Sequence, residues 1–112
     1  LDTKDLSLAT LRAADIERAA EWGIEKVGLA YRGNELAGET GEACNVIKKL
    51  ERAAMGAVGT KASKDDLADE LADVVICADL TAMEAGIDLA AAVKRKFNAT
   101  STKYGLTTKL ND

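Results

Sequence analysis

The stretch Asn34-Glu35-Leu36-Ala37-Gly38-Glu39-Thr40-Gly41-Glu42-Ala43-Cys44-Asn45-Val46-Ile47-Lys48-Lys49-Leu50-Glu51-Arg52-Ala53-Ala54-Met55 decides the fold. Leu36, Ala43, Val46, Ile47, Leu50 and Ala54 fall on one helical stripe, and Gly56 ends it. Two acids interrupt that stripe. Glu39 lies three residues after Leu36 and four before Ala43, and Glu42 lies four before Val46. Gly38 and Gly41 each cost about 1 kcal/mol relative to Ala in a helix. Their presence implies a close helix approach or a ligand that needs room.

Three more helices follow from periodicity and punctuation. One runs from Leu8 to Trp22, with Ser7 as N-cap and Gly23 as stop, and carries Leu8, Leu11, Ile16 and Ala19 or Ala20 on its apolar face. Another starts at the N-cap Ser63, has Asp65 and Asp66 in its first turn and ends at Gly86. Its face carries Leu67, Leu71, Val74, Cys77 or Ala78, and Thr81. The last starts after Asp88, carries Leu89, Ala92, Val93 and Phe97, and stops before Tyr104-Gly105. Residues 56–62 form a loop, and the polar tail from about Leu106 is expected to fray. The sequence therefore predicts a single all-α domain over residues 1–112, a four-helix bundle.

Composition narrows the chemistry. With 21 Ala, 13 Leu, 6 Val and 5 Ile, the core is made of small aliphatic groups suited to close helix packing. The absence of His excludes Ser/His/Asp and Cys/His nucleophile pairs, HExxH zinc sites and imidazole acid–base catalysis. The net charge of -4 argues against a general nucleic-acid or anionic-membrane binder, while leaving room for a small patch of Lys and Arg. Cys44 and Cys77 form no CxxC and read as buried, reduced thiols of a cytoplasmic protein. No apolar run approaches the roughly 20 residues needed to span a bilayer. The opening Leu1-Asp2-Thr3-Lys4-Asp5 does not resemble a signal peptide.

Glu70, three residues after Leu67 and four before Val74, repeats the arrangement of Glu39, and Asp73 lies four before Cys77. Two helices thus each turn an acidic pair, ExxE and ExxD, towards a face expected to be core. One explanation places these acids at stripe edges, paired with Lys or Arg. The other is a divalent cation, because converging carboxylates repel and burying one without a partner costs several kcal/mol. No basic residue shares the stripes. Hard oxygen ligands without His or a thiolate cluster favour Mg²⁺ or Mn²⁺ over Zn²⁺. Di-iron bundles use Glu-x-x-His, which this chain lacks. The run Gly56-Ala57-Val58-Gly59-Thr60-Lys61 has the flavour of a phosphate loop but not the GxxxxGK[ST] spacing. Gly38-Glu39-Thr40-Gly41 is not GxGxxG, and the acids from Asp65 to Asp73 lack the order of a calcium loop.

Leu36-Ala37-Gly38-Glu39-Thr40-Gly41-Glu42-Ala43, followed after Glu42 by 27 residues and then Glu70-Leu71-Ala72-Asp73-Val74-Val75, resembles the MazG-like nucleoside triphosphate pyrophosphohydrolases. That family is akin to the all-α dUTP and dCTP pyrophosphatases. The resemblance continues through Gly86-Ile87-Asp88-Leu89 and Lys96-Phe97-Asn98, covering roughly residues 30–105. It implies that Glu39, Glu42, Glu70 and Asp73 are the Mg²⁺ ligands and catalytic residues, that Lys96 contacts phosphate, and that Asn98 lies in the substrate site. Trp22, Tyr31, Arg32 and Asn34 precede the first motif and are candidates to meet base or sugar. The implied reaction converts a nucleoside triphosphate and water to the monophosphate and pyrophosphate, in a homodimer or dimer of dimers. A dUTP- or dCTP-specific member of the superfamily and a catalytically silent helical module are the competing readings.

Overall fold

In the computed structural model, which describes residues 6–111, the chain is all-α. The helices are α1 (Leu8–Trp22), α2 (Leu29–Ala54), α3 (Lys64–Glu84) and α4 (Leu89–Lys103). No strand occurs among the described residues. The opening Leu1–Asp5, read above as unlike a signal peptide, lies outside them. No helix among the described residues is long and apolar enough to cross a membrane.

Local chemistry sets the helix ends. Ser7 and Ser63 each accept a hydrogen bond from the backbone N–H three residues on, and the side chains of Thr10 and Asp66 return the bond to the cap N–H. Asp88 caps α4 by accepting from the Ala91 N–H at 3.1 Å. Gly23 closes α1 with φ +78°, a left-handed conformation that glycine adopts without a Cβ penalty. The start of α2 departs from expectation: the helix begins at Leu29, five residues before Asn34. Gly28 offers no capping side chain, so the sequence carries no start signal there; tertiary contacts of Arg32 hold this first turn instead.

The principal packing is an antiparallel α2–α3 hairpin, with α1 laid against α3 and α4 meeting α1 along a short stretch. The four-helix assembly is open. Its radius of gyration is 17.0 Å, against about 13 Å for a compact chain of this length. Its accessible surface is 8064 Å², against about 5,900 Å² for a compact monomer of this mass. Ile16, Ile47, Leu71, Val75, Val93 and Phe97 are exposed, several of them on the faces expected to be core. Cys77 is buried as expected, whereas Cys44 is exposed because α2 has no neighbour on that side. Among the described residues, nothing outside the adjoining turns of α2 lies within 4 Å of the Cβ position at Gly38 or Gly41, so they mark open space rather than a close helix approach.

The tail differs from expectation as well. The Asn98 side chain accepts from the Leu110 N–H at 2.7 Å and donates to the Leu110 carbonyl at 2.9 Å. Lys109 Nζ donates to the Asn98 carbonyl at 3.1 Å and to the Thr102 hydroxyl. The tail through Leu110 is therefore tied back onto α4 rather than frayed.

Candidate metal centre

The antiparallel register brings the two acidic motifs together. The Thr81 hydroxyl donates to the Arg32 carbonyl at 3.3 Å, which sets the start of α2 against the end of α3. Advancing two turns along α2 and retreating as far along α3 brings Glu39 and Glu42 opposite Asp73 and Glu70. One carboxylate oxygen from each of Glu39, Glu70 and Asp73 lies within 4.8 Å of the others. Glu42 lies beside the group, near enough for its charge to act on both Glu39 and Glu70.

Electrostatics set this cluster apart from an ordinary charged surface. Glu39 Oε2 and Glu70 Oε2 are buried and accept no hydrogen bond. Burial raises the pKa of both carboxyls, and the neighbouring charges raise it further, Glu42 foremost. The ion pairs among the described residues involve none of the four acids. The Lys or Arg partners of the stripe-edge explanation are therefore not found among the described residues. Two orphaned buried oxygens and an all-carboxylate donor set fit a hard divalent cation. The 4.8 Å spread is of the same order as the roughly 4 Å between opposite oxygens around a six-coordinate Mg²⁺.

The other candidate residues are placed elsewhere. Arg32 is wholly buried, its guanidinium directed to Glu84, Glu35 and the Ile24 carbonyl, so the expectation that it meets substrate is corrected: it is a structural clamp. Trp22 is exposed at the end of α1, in a shallow hollow shared with Arg18 and Glu21 and none of the acids. Lys96 and Asn98 lie on α4, which packs against α1; Lys96 lines an apolar groove, and the Asn98 amide is engaged by the tail. A cavity of about 460 Å³ opens between α1 and the α3–α4 junction, ends on Arg12 and Asp79, and includes none of the four acids.

Sequence reasoning missed a second buried acid pair. Asp15 of α1 and Asp79 of α3 are 2% and 0% exposed. Arg12 Nε donates to Asp79 Oδ1 at 3.0 Å, and Arg12 Nη2 to the Ile87 carbonyl at 2.8 Å. The signal was present, because Asp79 interrupts the apolar run from Val74 to Ala82 and Asp15 follows Ala13-Ala14 and precedes Ile16. Burial, then the adjoining Asp79, push the Asp15 carboxyl up from 3.8 to about 7, against the opposing charges of Arg18 and Arg12. A carboxyl whose pKa is raised on folding stabilises the fold below its unfolded value, and that contribution is lost as pH rises through the folded one. Stability should therefore fall between pH 4 and 7. Asp15→Asn keeps a donor towards Asp79 without the charge, so it should flatten that slope and add on the order of 2 kcal/mol at pH 8. Urea melts at pH 5 and pH 8 check this, and equal destabilisation at both would show Asp15 to be an ionised partner of Arg18.

Burial also drives the Cys77 thiol up to about 11, with the carboxylates of Glu35, Glu39, Asp73 and Asp15 adding to the effect. Cys77 is thus an inert packing group and not a nucleophile. Across known proteins, no family model, curated protein or solved structure matches the chain.

Proposed function

We propose that the chain is a Mg²⁺-dependent nucleoside triphosphate pyrophosphohydrolase of the MazG-like type, acting in nucleotide-pool house-cleaning in the cytoplasm. The observation that carries the reading is the meeting of Glu39, Glu70 and Asp73 across α2 and α3 with no Lys or Arg among the described residues paired to them. Glu39, Glu70 and Asp73 would hold the ion, Mn²⁺ serving in place of Mg²⁺. When bound, the cation would neutralise the triphosphate and lower the pKa of water at the site. Glu42, exposed and beside both Glu39 and Glu70, is the carboxylate left to accept a proton from the attacking water. The half-buried pair Glu39 and Glu70 would orient the ion towards the phosphates, and hydrolysis releases the monophosphate and pyrophosphate.

The openness of the fold supports a second copy as part of the working unit. The chain exposes about 2,000 Å² more than a compact monomer of its mass, comparable to a substantial interface. Lys96 of α4 stands apart from the acids within one chain, so a phosphate contact from it is best supplied by a partner copy. One experiment tests both parts: a nucleoside triphosphate panel read for pyrophosphate with and without Mg²⁺, on protein whose mass is followed by sedimentation. Mg²⁺-dependent release by a dimer or tetramer is expected. No release with any nucleotide would sink the catalytic reading, and a stable micromolar monomer would sink the second-copy reading.

A further inference from the structure

A basic cup lies at the far end of the α2–α3 hairpin. Lys48, Lys49 and Arg52 reach it from the last turns of α2, and Gly59, Thr60 and Lys61 from the loop that follows. It is a concavity of about 410 Å³, and no acid among the described residues lines it. In a protein of net charge -4, this grouping of four cations is a local reversal of sign. None of the four belongs to an ion pair among the described residues. The α2 C-terminus accounts for a cation in its last turn, Arg52, but not for Lys61, which the loop contributes. Among the described residues, the amides of residues 58–62 donate no backbone hydrogen bond.

The loop is the one whose glycines and lysine evoke a phosphate loop without its spacing. The fold supplies by convergence what the motif lacks, drawing the cations from the preceding helix. We infer that this cup is an anion site, distinct from the acidic cluster, that binds a small ligand carrying two or more phosphate groups. Four cations carry more positive charge than a single orthophosphate offsets, so a ligand with two or more phosphates matches them better. An extended polyanion would meet Asp65 and Asp66, which open α3 just beyond the loop. The inference stands apart from the reading of the acidic site, because it requires neither a metal nor catalysis.

Calorimetric titration of the full chain with inorganic pyrophosphate, in buffer stripped of divalent metal by resin, tests it. Saturable binding at one site per chain is expected, weakened about tenfold in Lys49→Gln/Arg52→Gln by the loss of two charge-assisted contacts. Raising salt should weaken it several-fold, as expected for exposed charges. Glu39→Gln should leave it unchanged, and orthophosphate should bind at least about tenfold more weakly, with fewer charges engaged. The proposal is overturned if millimolar pyrophosphate gives no saturation or if the double variant binds as the parent does. It is equally overturned if Glu39→Gln abolishes binding or if orthophosphate matches pyrophosphate.

Discussion

Glu39→Gln and Glu70→Gln are expected to reduce Mg²⁺-dependent hydrolysis by about 100-fold or more, while the metal-free proteins melt at the same or a higher temperature than the parent. Each substitution keeps the side chain's shape and removes a charge from a group of carboxylates that has no cationic partner among the described residues. Burial and the neighbouring acids raise both pKa values in the folded state. The folded, metal-free protein therefore holds protons more readily than the unfolded chain, and the stability linked to these groups falls as pH rises above 4.5. Gln removes that loss. Mg²⁺ is expected to raise the melting temperature of the parent, since a ligand stabilises the state that binds it, and Gln should abolish that rise. Asp73→Asn, on the exposed side of the cluster, should weaken activity with a smaller gain in melting temperature. Variants that melt earlier yet keep full Mg²⁺-dependent turnover would identify the cluster as a structural network and remove it from the chemistry.

Much of this was legible in the residues, and the divisions follow from range. Helix ends at Ser7, Gly23, Ser63 and Asp88 are set by side chains and φ preferences within four residues, so the sequence alone predicts them. The meeting of Glu39 and Glu70 was predictable because both acids sit on stripes of helices that a short loop obliges to run antiparallel. Burial was less legible. In α1 the sequence offers Ala on several sides, and the face turned inward carries Asp15 and Ala19 while Ile16 faces out. Leu71 of α3 is exposed for a related reason: its stripe is apolar, but α1 and α2 do not enclose it. The tail was misjudged because two side chains, Asn98 and Lys109, hold it to α4, and isolated contacts of this kind leave no periodic trace.

Arg32 provides the sharpest division between a binding residue and a structural one. Its guanidinium has no solvent exposure. Nη2 donates to the Ile24 carbonyl at 2.5 Å, Nε faces Glu84 at 3.4 Å and Nη1 faces Glu35 at 3.3 Å. These contacts join the α1–α2 connection, the first turn of α2 and the last turn of α3, where Gly28 provides no cap. Arg32→Met should cost about 3–5 kcal/mol, because the aliphatic stem is retained while Glu84, only 16% exposed, loses its cation. For a domain of this size the melting temperature should fall by more than about 10 °C. Lys cannot reproduce the planar fork that serves three acceptors at once, so Arg32→Lys should recover only part of the loss. Adding Glu84→Leu to Arg32→Met should restore stability more fully, since replacing both members of a buried pair by apolar groups removes the orphaned charge. A thermal-melt cycle over these variants, with KM measured on those that fold, separates the roles. An Arg32→Met protein that melts like the parent but shows a raised KM would return Arg32 to the substrate site.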